Sequence, residues 1–273
     1  MIALLLVLAG HLGDASATLA RWREALELDL AREVLEQAPP LVAEQGELAH
    51  DGAALALYAR ALAGAGKRAE ARALLEHADV PEAGRVRIAV ALARLDLEED
   101  QLAAAHKRVA KFAPSDPEAA LVAGRAVYRA GENARARPLL EHFVELAPFD
   151  LEAPSAWHML AQEARSRKDE VRAAVCAANE RKYDEWQAFY RARRLQIRAN
   201  PKEPLPRYGL AELWVAAGED GRARAVLEEL VLLAPDFARA ELALARIEQR
   251  AGNAQASKRH EARYRELGGT EKL

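Results

Sequence analysis

Apolar and small residues recur at helical spacing along most of the chain, in short stretches separated by polar or glycine-containing breaks. The clearest stretch is 204–237. There an apolar helical face runs from Leu210 to Trp214, Gly218 interrupts it, and a second face runs from Ala223 to Pro235, where the helix must end. The pattern predicts two short helices joined by a turn, and the chain contains several such units.

The breaks between helices indicate the length of the repeat. Candidate turns stand at Gly13-Asp14, Gly66-Lys67, Leu97-Glu98, Gly131-Glu132, Lys168-Asp169, Gly218-Glu219 and Gly252-Asn253. Counted from the first residue of each turn, the spacings are 53, 31, 34, 37, 50 and 34 residues. They predict a repeat of about 34 residues with two interruptions of roughly one helix each, around 30–50 and 180–200.

Helices are predicted throughout, and no stretch alternates as a half-buried strand does. The first is expected from Ser16 or Thr18 to about Gln37, because Pro39-Pro40 breaks it. Later pairs are expected at 52–64 with 67–78, 82–96 with 99–112, 117–130 with 133–146, 204–217 with 220–233 and 237–250 with 253–267. A further pair begins near 153, and its second helix either runs on to 199 or breaks near 182.

Four segments follow from this division of the chain. Residues 1–50 hold N-terminal repeat-like helices, and 51–150 hold complete repeats. Residues 151–200 hold a repeat and an inserted basic, aromatic helix. Residues 201–273 hold the last repeats and a C-terminal cap.

The units resemble tetratricopeptide repeats, which are helix–turn–helix units with small and large residues at fixed positions and a trailing proline. One unit shows Gly124, Ala136, Leu140, Phe143 and Pro148, and another shows Leu210, Ala211, Ala223, Leu227 and Pro235. The resemblance covers most of 52–267. It implies an all-α fold, a right-handed α-solenoid of stacked helix–turn–helix repeats. The alternative is an α-solenoid of another family, whose helices would stack in the same way.

The N-terminus supports two interpretations. Residues 1–9 are apolar and Ala15-Ser16-Ala17 are small, as in a signal peptide, but the positive start of such a peptide is missing. Alternatively, residues 2–9 form the first helix of a repeat whose second helix follows Gly13-Asp14. The run is too short to span a bilayer. We expect a cytoplasmic protein, with the bacterial periplasm or cell envelope as the alternative.

Composition and motifs argue against catalysis. The net charge of −3 disfavours a strongly basic nucleic-acid binder. The single cysteine, Cys176, rules out an internal disulfide and a cysteine-based zinc cluster. The sequence also lacks H-E-x-x-H and glycine-rich phosphate-binding motifs. We therefore predict no catalytic residue, no metal site and no cofactor.

The placement of arginines is the most informative feature for function. In tetratricopeptide arrays the first helices line a concave groove, so the resemblance implies that their outward positions contact a partner. These positions hold Arg60, Arg87, Arg94, Arg125, Tyr128, Arg129, His158, Gln162, Arg165 and Arg246. Guanidinium groups favour carboxylates, so a protein or peptide partner of acidic character is expected. The alternative is that the arginines pair with neighbouring acids and only solvate the face.

Residues 181–198 combine six cations with two acids, and four aromatic residues interleave with them. Trp186 and Tyr190 are four residues apart, on one helical face, which favours an inserted helix packed on the array. A partner site and a single-stranded nucleic-acid site are the other two interpretations.

Together these features predict a non-catalytic scaffold or adaptor that holds a partner segment in the groove. The asparagine-containing clamp of chaperone-binding members does not stand at the matching positions, so chaperone tails are not implied as partners. Two alternatives are an accessory repeat domain that presents substrates to an enzyme subunit, and an envelope-assembly protein of the same repeat family.

Overall fold

A computed structural model describes residues 2–271, with side chains from residue 15 onward. In this range the chain contains 14 helices and no strand. Successive helices form seven pairs: α1 (Ile2–Glu27) with α2 (Ala31–Val42), α3 (Gly52–Gly64) with α4 (Arg68–Glu76), α5 (Glu82–Glu98) with α6 (Leu102–Val109), α7 (Pro117–Arg129) with α8 (Asn133–Leu146), α9 (Ala153–Ser166) with α10 (Glu170–Ala199), α11 (Pro204–Ala216) with α12 (Asp220–Leu233), and α13 (Ala238–Arg250) with α14 (Ala254–Glu266). The predicted all-α repeat array is confirmed.

One backbone conformation marks the turn inside every pair. The residue there has a positive φ, which glycine adopts most easily. The seven turn residues are Asp29, Gly66, Asp100, Gly131, Lys168, Gly218 and Gly252. Their spacings are 37, 34, 31, 37, 50 and 34 residues, so only the step from Lys168 to Gly218 departs strongly from the repeat.

The first pair corrects two expectations. Helix α1 runs through Gly13-Asp14 without a turn, and the turn lies at Asp29 instead. The buried Trp22 donates its indole N–H to Gln37 at 3.2 Å and so ties α1 to α2. Pro39 and Pro40 lie inside α2 and do not break it. They stand in its last turn, so few helical hydrogen bonds are lost. The extra length at 30–50 is therefore a normal second helix and a connector.

The interruption of the repeat predicted around 180–200 is present in the structure. Helix α10 is 30 residues long and passes residue 182 without a break, which settles the open question about its continuity. Its length accounts for the long step between Lys168 and Gly218.

The chain forms two compact units, Met1–Asp184 and Glu185–Leu273. In the first unit two clusters of buried side chains lie between the stacked helix pairs, one around Trp22 and Leu75 and one around Leu121 and Phe143. In the second unit Leu210, Leu227 and Leu244 are fully buried. Each cluster takes side chains from several pairs, because a single pair cannot cover its own apolar surface.

Buried acids join neighbouring pairs at three places. Asp96, Glu163 and Glu248 lie near the ends of first helices and are 0%, 2% and 6% exposed. Each forms an ion pair with an arginine from the preceding second helix, at 2.9, 3.7 and 2.8 Å. Those arginines are Arg72, Arg137 and Arg224, each six residues after its turn glycine. We call these contacts the seam ion pairs.

The turn conformation predicts a stabilising substitution. Lys168→Gly removes a side chain from a residue at φ 61°. We expect it to raise the free energy of unfolding by about 0.5–1 kcal/mol in urea denaturation. The control is Lys107→Gly, inside α6, which should lower stability by about 1 kcal/mol. A loss of stability in Lys168→Gly would contradict this account of the turn.

The seam ion pairs predict a strong destabilisation. Asp96 accepts from Arg72 at 2.9 Å and from Arg108 at 2.5 Å. Asp96→Ala leaves both guanidiniums without this partner. We expect a loss of about 2–3 kcal/mol, below the range for a fully buried pair because both arginines reach solvent. Glu145→Ala, an exposed position on α8, should change stability by less than about 0.5 kcal/mol.

Candidate functional site

The residues predicted to contact a partner all lie on first helices. Nine belong to the first unit, on α3, α5, α7 and α9, and Arg246 lies on α13 in the second unit. We call the outward side chains of α3, α5, α7 and α9 the arginine face. Their surroundings differ from residue to residue, and only some of them are available to a partner.

Glu152 is the centre of the arginine face. It stands at the N-cap of α9 and accepts from Arg94 of α5 at 3.1 Å and from Arg125 of α7 at 2.5 Å, on different carboxylate oxygens. Arg125 also donates to Ser155 at 2.9 Å. One carboxylate therefore joins three consecutive first helices and fixes the positions of two guanidinium groups.

Two further arginines bind the ends of neighbouring first helices. Arg87 donates to Asp116 at 2.8 Å and to Glu118 at 3.1 Å, at the start of α7. Asp116 also caps α7 by accepting from the amide of Ala119. Arg129 donates to the Leu97 carbonyl at 2.6 Å and to Asp100 at 2.9 Å, at the end of α5.

The remaining predicted residues fall into two groups. Arg60, Gln162 and Arg165 are exposed, and within the described residues their side chains form no hydrogen bond or ion pair. By contrast, His158 contacts Glu180 at 3.0 Å, Arg246 contacts Glu271 at 3.1 Å, and Tyr128 packs partly buried against the core.

The acids of the arginine face are the residues that sequence reasoning missed. In the structure Asp116, Glu118, Asp150 and Glu152 lie at the starts of first helices, beside Arg87, Arg94 and Arg125. Four acids against three arginines give this cluster a formal charge of −1. The helix-capping preference of acids was the available signal.

The surroundings of the arginine face shift the pKa values of two carboxyl groups, Glu152 and Asp150, in opposite directions. Burial alone would raise the pKa of Glu152, but the hydrogen bond and charge of Arg125, with those of Arg94, lower it to about 2. Burial raises the pKa of Asp150, although the amide of Glu152 hydrogen-bonds to it, and the nearby carboxylates of Glu118 and Glu152 raise it further. Glu152 is thus held as an anion in the folded protein.

The basic aromatic stretch contributes packing. The ring centroids of Trp186 and Tyr190 are 5.2 Å apart, and those of Trp186 and Trp214 are 4.7 Å apart. Arg222 lies 4.6 Å from the centroid of Trp214. Phe189 is 62% exposed. Trp186 and Tyr190 therefore share a packed face, as the interpretation of a packed inserted helix requires.

The described residues contain no group of three or more His, Cys, Asp or Glu side chains that could hold a metal ion. They also contain no helix long and apolar enough to cross a membrane. Cys176 is buried in the core, and burial raises the pKa of its thiol, which lowers its reactivity.

The depressed pKa of Glu152 predicts an acid-dependent loss of stability. Its value falls from 4.5 to about 2 on folding, so its stabilisation is present above pH 4.5 and is lost as the pH falls towards 2. Compared with Glu152→Gln, we expect the wild type to be more stable by about 2 kcal/mol at neutral pH, a figure reduced for partial exposure. The difference should vanish near pH 2. Glu145→Gln, at an exposed position, should show no such pH dependence, and a constant difference for Glu152→Gln would refute the assignment.

Comparisons with known proteins give structural likenesses only. No family model and no curated protein matches the chain. Among solved structures, a tetratricopeptide repeat protein from Parabacteroides merdae is 14% identical and covers 94% of each chain, with a TM-score of 0.37. MamA is 18% identical, with a TM-score of 0.27, over 64% of this chain and 94% of its own. The chain's paired helices and regular turns make it an α-helical repeat protein.

Proposed function

We propose that this protein is a non-catalytic scaffold that binds a segment of a partner protein on the arginine face. The observation that carries the proposal is the fixation of Arg94 and Arg125 by Glu152. Two guanidiniums from successive repeats are held in place before a partner arrives, so less side-chain freedom is lost on binding. Stacked repeats commonly bind extended segments with such continuous surfaces.

The partner is expected to carry separated acids rather than a continuous acidic run. The centre of the face is already neutralised by its own carboxylates, so a dense acidic segment would meet Glu118, Asp150 and Glu152. Arg60 and Arg165 are exposed and have no such partners among the described residues. A carboxylate of a bound segment should therefore form its strongest ion pairs with these two arginines.

Polar contacts complete the expected surface. Ser155 and Gln162 on α9 are exposed and can hydrogen-bond a peptide backbone. Ser155 also accepts from Arg125, which binds Glu152. Each of the two guanidiniums on Glu152 retains further N–H groups, because arginine carries five. A segment can therefore bind Arg94 and Arg125 without displacing Glu152.

Arg60 and Arg165 are the best test positions. Arg94 and Arg125 stabilise Glu152, so reversing their charge would alter the fold as well as the binding. We expect the double variant Arg60→Glu/Arg165→Glu to keep the wild-type melting temperature. Peptides selected from a displayed random library on the wild type should bind it at least about tenfold more weakly, since two attractions become repulsions. Fluorescence anisotropy measures this loss.

The matched control reverses two exposed cations on second helices, Lys107→Glu/Lys258→Glu, which form no ion pair within the described residues. It makes the same change in net charge, so a general electrostatic effect would appear in both double variants. The proposal fails if the two weaken binding equally, or if the Arg60/Arg165 variant binds like the wild type.

A further inference from the structure

A cavity of about 400 Å³ lies in the first unit, beside α5. The connector between α4 and α5 borders it on one side, and the end of α6 borders it on another. It takes Arg85, Ile88, Ala89 and Leu92 from α5 but neither Arg87 nor Arg94. The cavity is therefore distinct from the arginine face.

The cavity exists because two consecutive second helices are short. Helices α8 and α12 have 14 residues, whereas α4 has nine and α6 has eight. Twelve residues after the turn glycine, α8 and α12 place Phe143 and Leu230, both fully buried. The matching residues after the turns at 66 and 100 are Ala78 and Phe112, both beyond their helices and only partly buried. The side of α5 between them is left incompletely covered.

The floor of the cavity is apolar. Val80, Ile88, Leu92 and Phe112 line it, and Ile88 and Leu92 are 9% and 7% exposed. The volume is at the lower end of small-molecule sites and suits one apolar group rather than a long segment of chain.

The rim is cationic. Arg85, Arg108 and Lys111 line the cavity, and Asp79 is the one acid among the lining residues. Arg108 is already paired with the buried Asp96, so Arg85 and Lys111 carry the charge that a ligand meets. Arg85 pairs with Glu82, but both side chains are mostly exposed and such a pair is weak. Lys111 lies 4.6 Å from the centroid of the Phe112 ring and forms no ion pair with any described residue. A charge-complementary ligand therefore carries a negative group at the mouth.

We propose that this cavity binds a small apolar monocarboxylate. The hydrocarbon body lies on Ile88, Leu92 and Phe112, and the carboxylate contacts Lys111 and Arg85. The apolar floor supplies affinity by burying hydrocarbon surface, and the rim selects the anion over a neutral molecule of the same length.

Octanoate is the probe, and the methyl group of Ile88 is the reporter. The chain's other isoleucines are Ile2, Ile197 and Ile247, and the last two lie in the second unit. In methyl-labelled full-length protein we expect octanoate to shift the Ile88 signal saturably and to leave Ile197 and Ile247 unchanged. Octan-1-ol, which lacks the carboxylate, should bind more weakly.

Lys111→Glu tests the rim at an exposed residue that forms no ion pair with a described residue and loses only its cation–π contact with Phe112, and it should weaken octanoate binding about tenfold. Lys107→Glu, on the same helix but outside the cavity, is the matched control and should bind octanoate normally. Ala89→Phe fills the cavity and should abolish the shift.

Three results would overturn the proposal. The first is an Ile88 signal that octanoate does not move, or moves only together with Ile197 and Ile247. The second is equal binding of octanoate and octan-1-ol, or equal binding by Lys111→Glu and wild type. The third is displacement of octanoate by a short peptide with a carboxy-terminal leucine at lower concentration, which would identify a polypeptide as the occupant.

Discussion

Stacking of helix pairs is the constraint on which the rest of this structure depends. Each pair leaves apolar side chains such as Leu75 or Leu140 that only a neighbouring pair can cover. Apolar contact alone is tolerant of sliding, whereas an ion pair requires particular atoms to meet. The seam ion pairs meet that need: a misplaced neighbour would cost Asp96, Glu163 and Glu248 a charged partner, although Arg108 and Arg167 of their own helix pairs would still contact Asp96 and Glu163.

The turns between paired helices keep the spacing of the repeats regular. A residue with positive φ follows every first helix and reverses the chain in a few residues, which sets the distance between successive seams. Four glycines occupy these positions without strain, while Asp29, Asp100 and Lys168 adopt the same conformation at some cost. The repeat thus tolerates poor turn residues where packing on both sides is strong enough to impose the conformation.

Much of this could be predicted from sequence, because helical periodicity and turn glycines act locally. The pairs from residue 52 onward, except the long α10, were predicted to within a few residues. Errors arose where a local signal was weak or was overridden by packing. Asp29 carries no glycine signal, and Pro39-Pro40 is tolerated because it lies in the last turn of α2. The hydrophobic periodicity does not show that α4 and α6 end early, so the cavity could not be predicted from sequence. The central role of Glu152 could not be predicted from sequence, because its partners are distant along the chain. Arg94 lies 58 residues before Glu152 and Arg125 lies 27 residues before it, and only the packing of the helices brings them together.

Under the proposed function, the arginines of the first helices have two roles that compete, stabilising the fold and binding a partner. Arg87 and Arg129 bind acids at the ends of neighbouring first helices, so their charge stabilises the fold and is already paired. An arginine that stands free, as Arg60 and Arg165 do within the described residues, adds nothing to the fold that a partner would have to displace. Arg94 and Arg125 lie between these cases. Their shared carboxylate orders them, so their remaining donors point in fixed directions, and the same carboxylate lowers their net attraction for an anion. A surface of this kind gains selectivity at the expense of affinity, since a partner must match the fixed donors rather than simply carry negative charge.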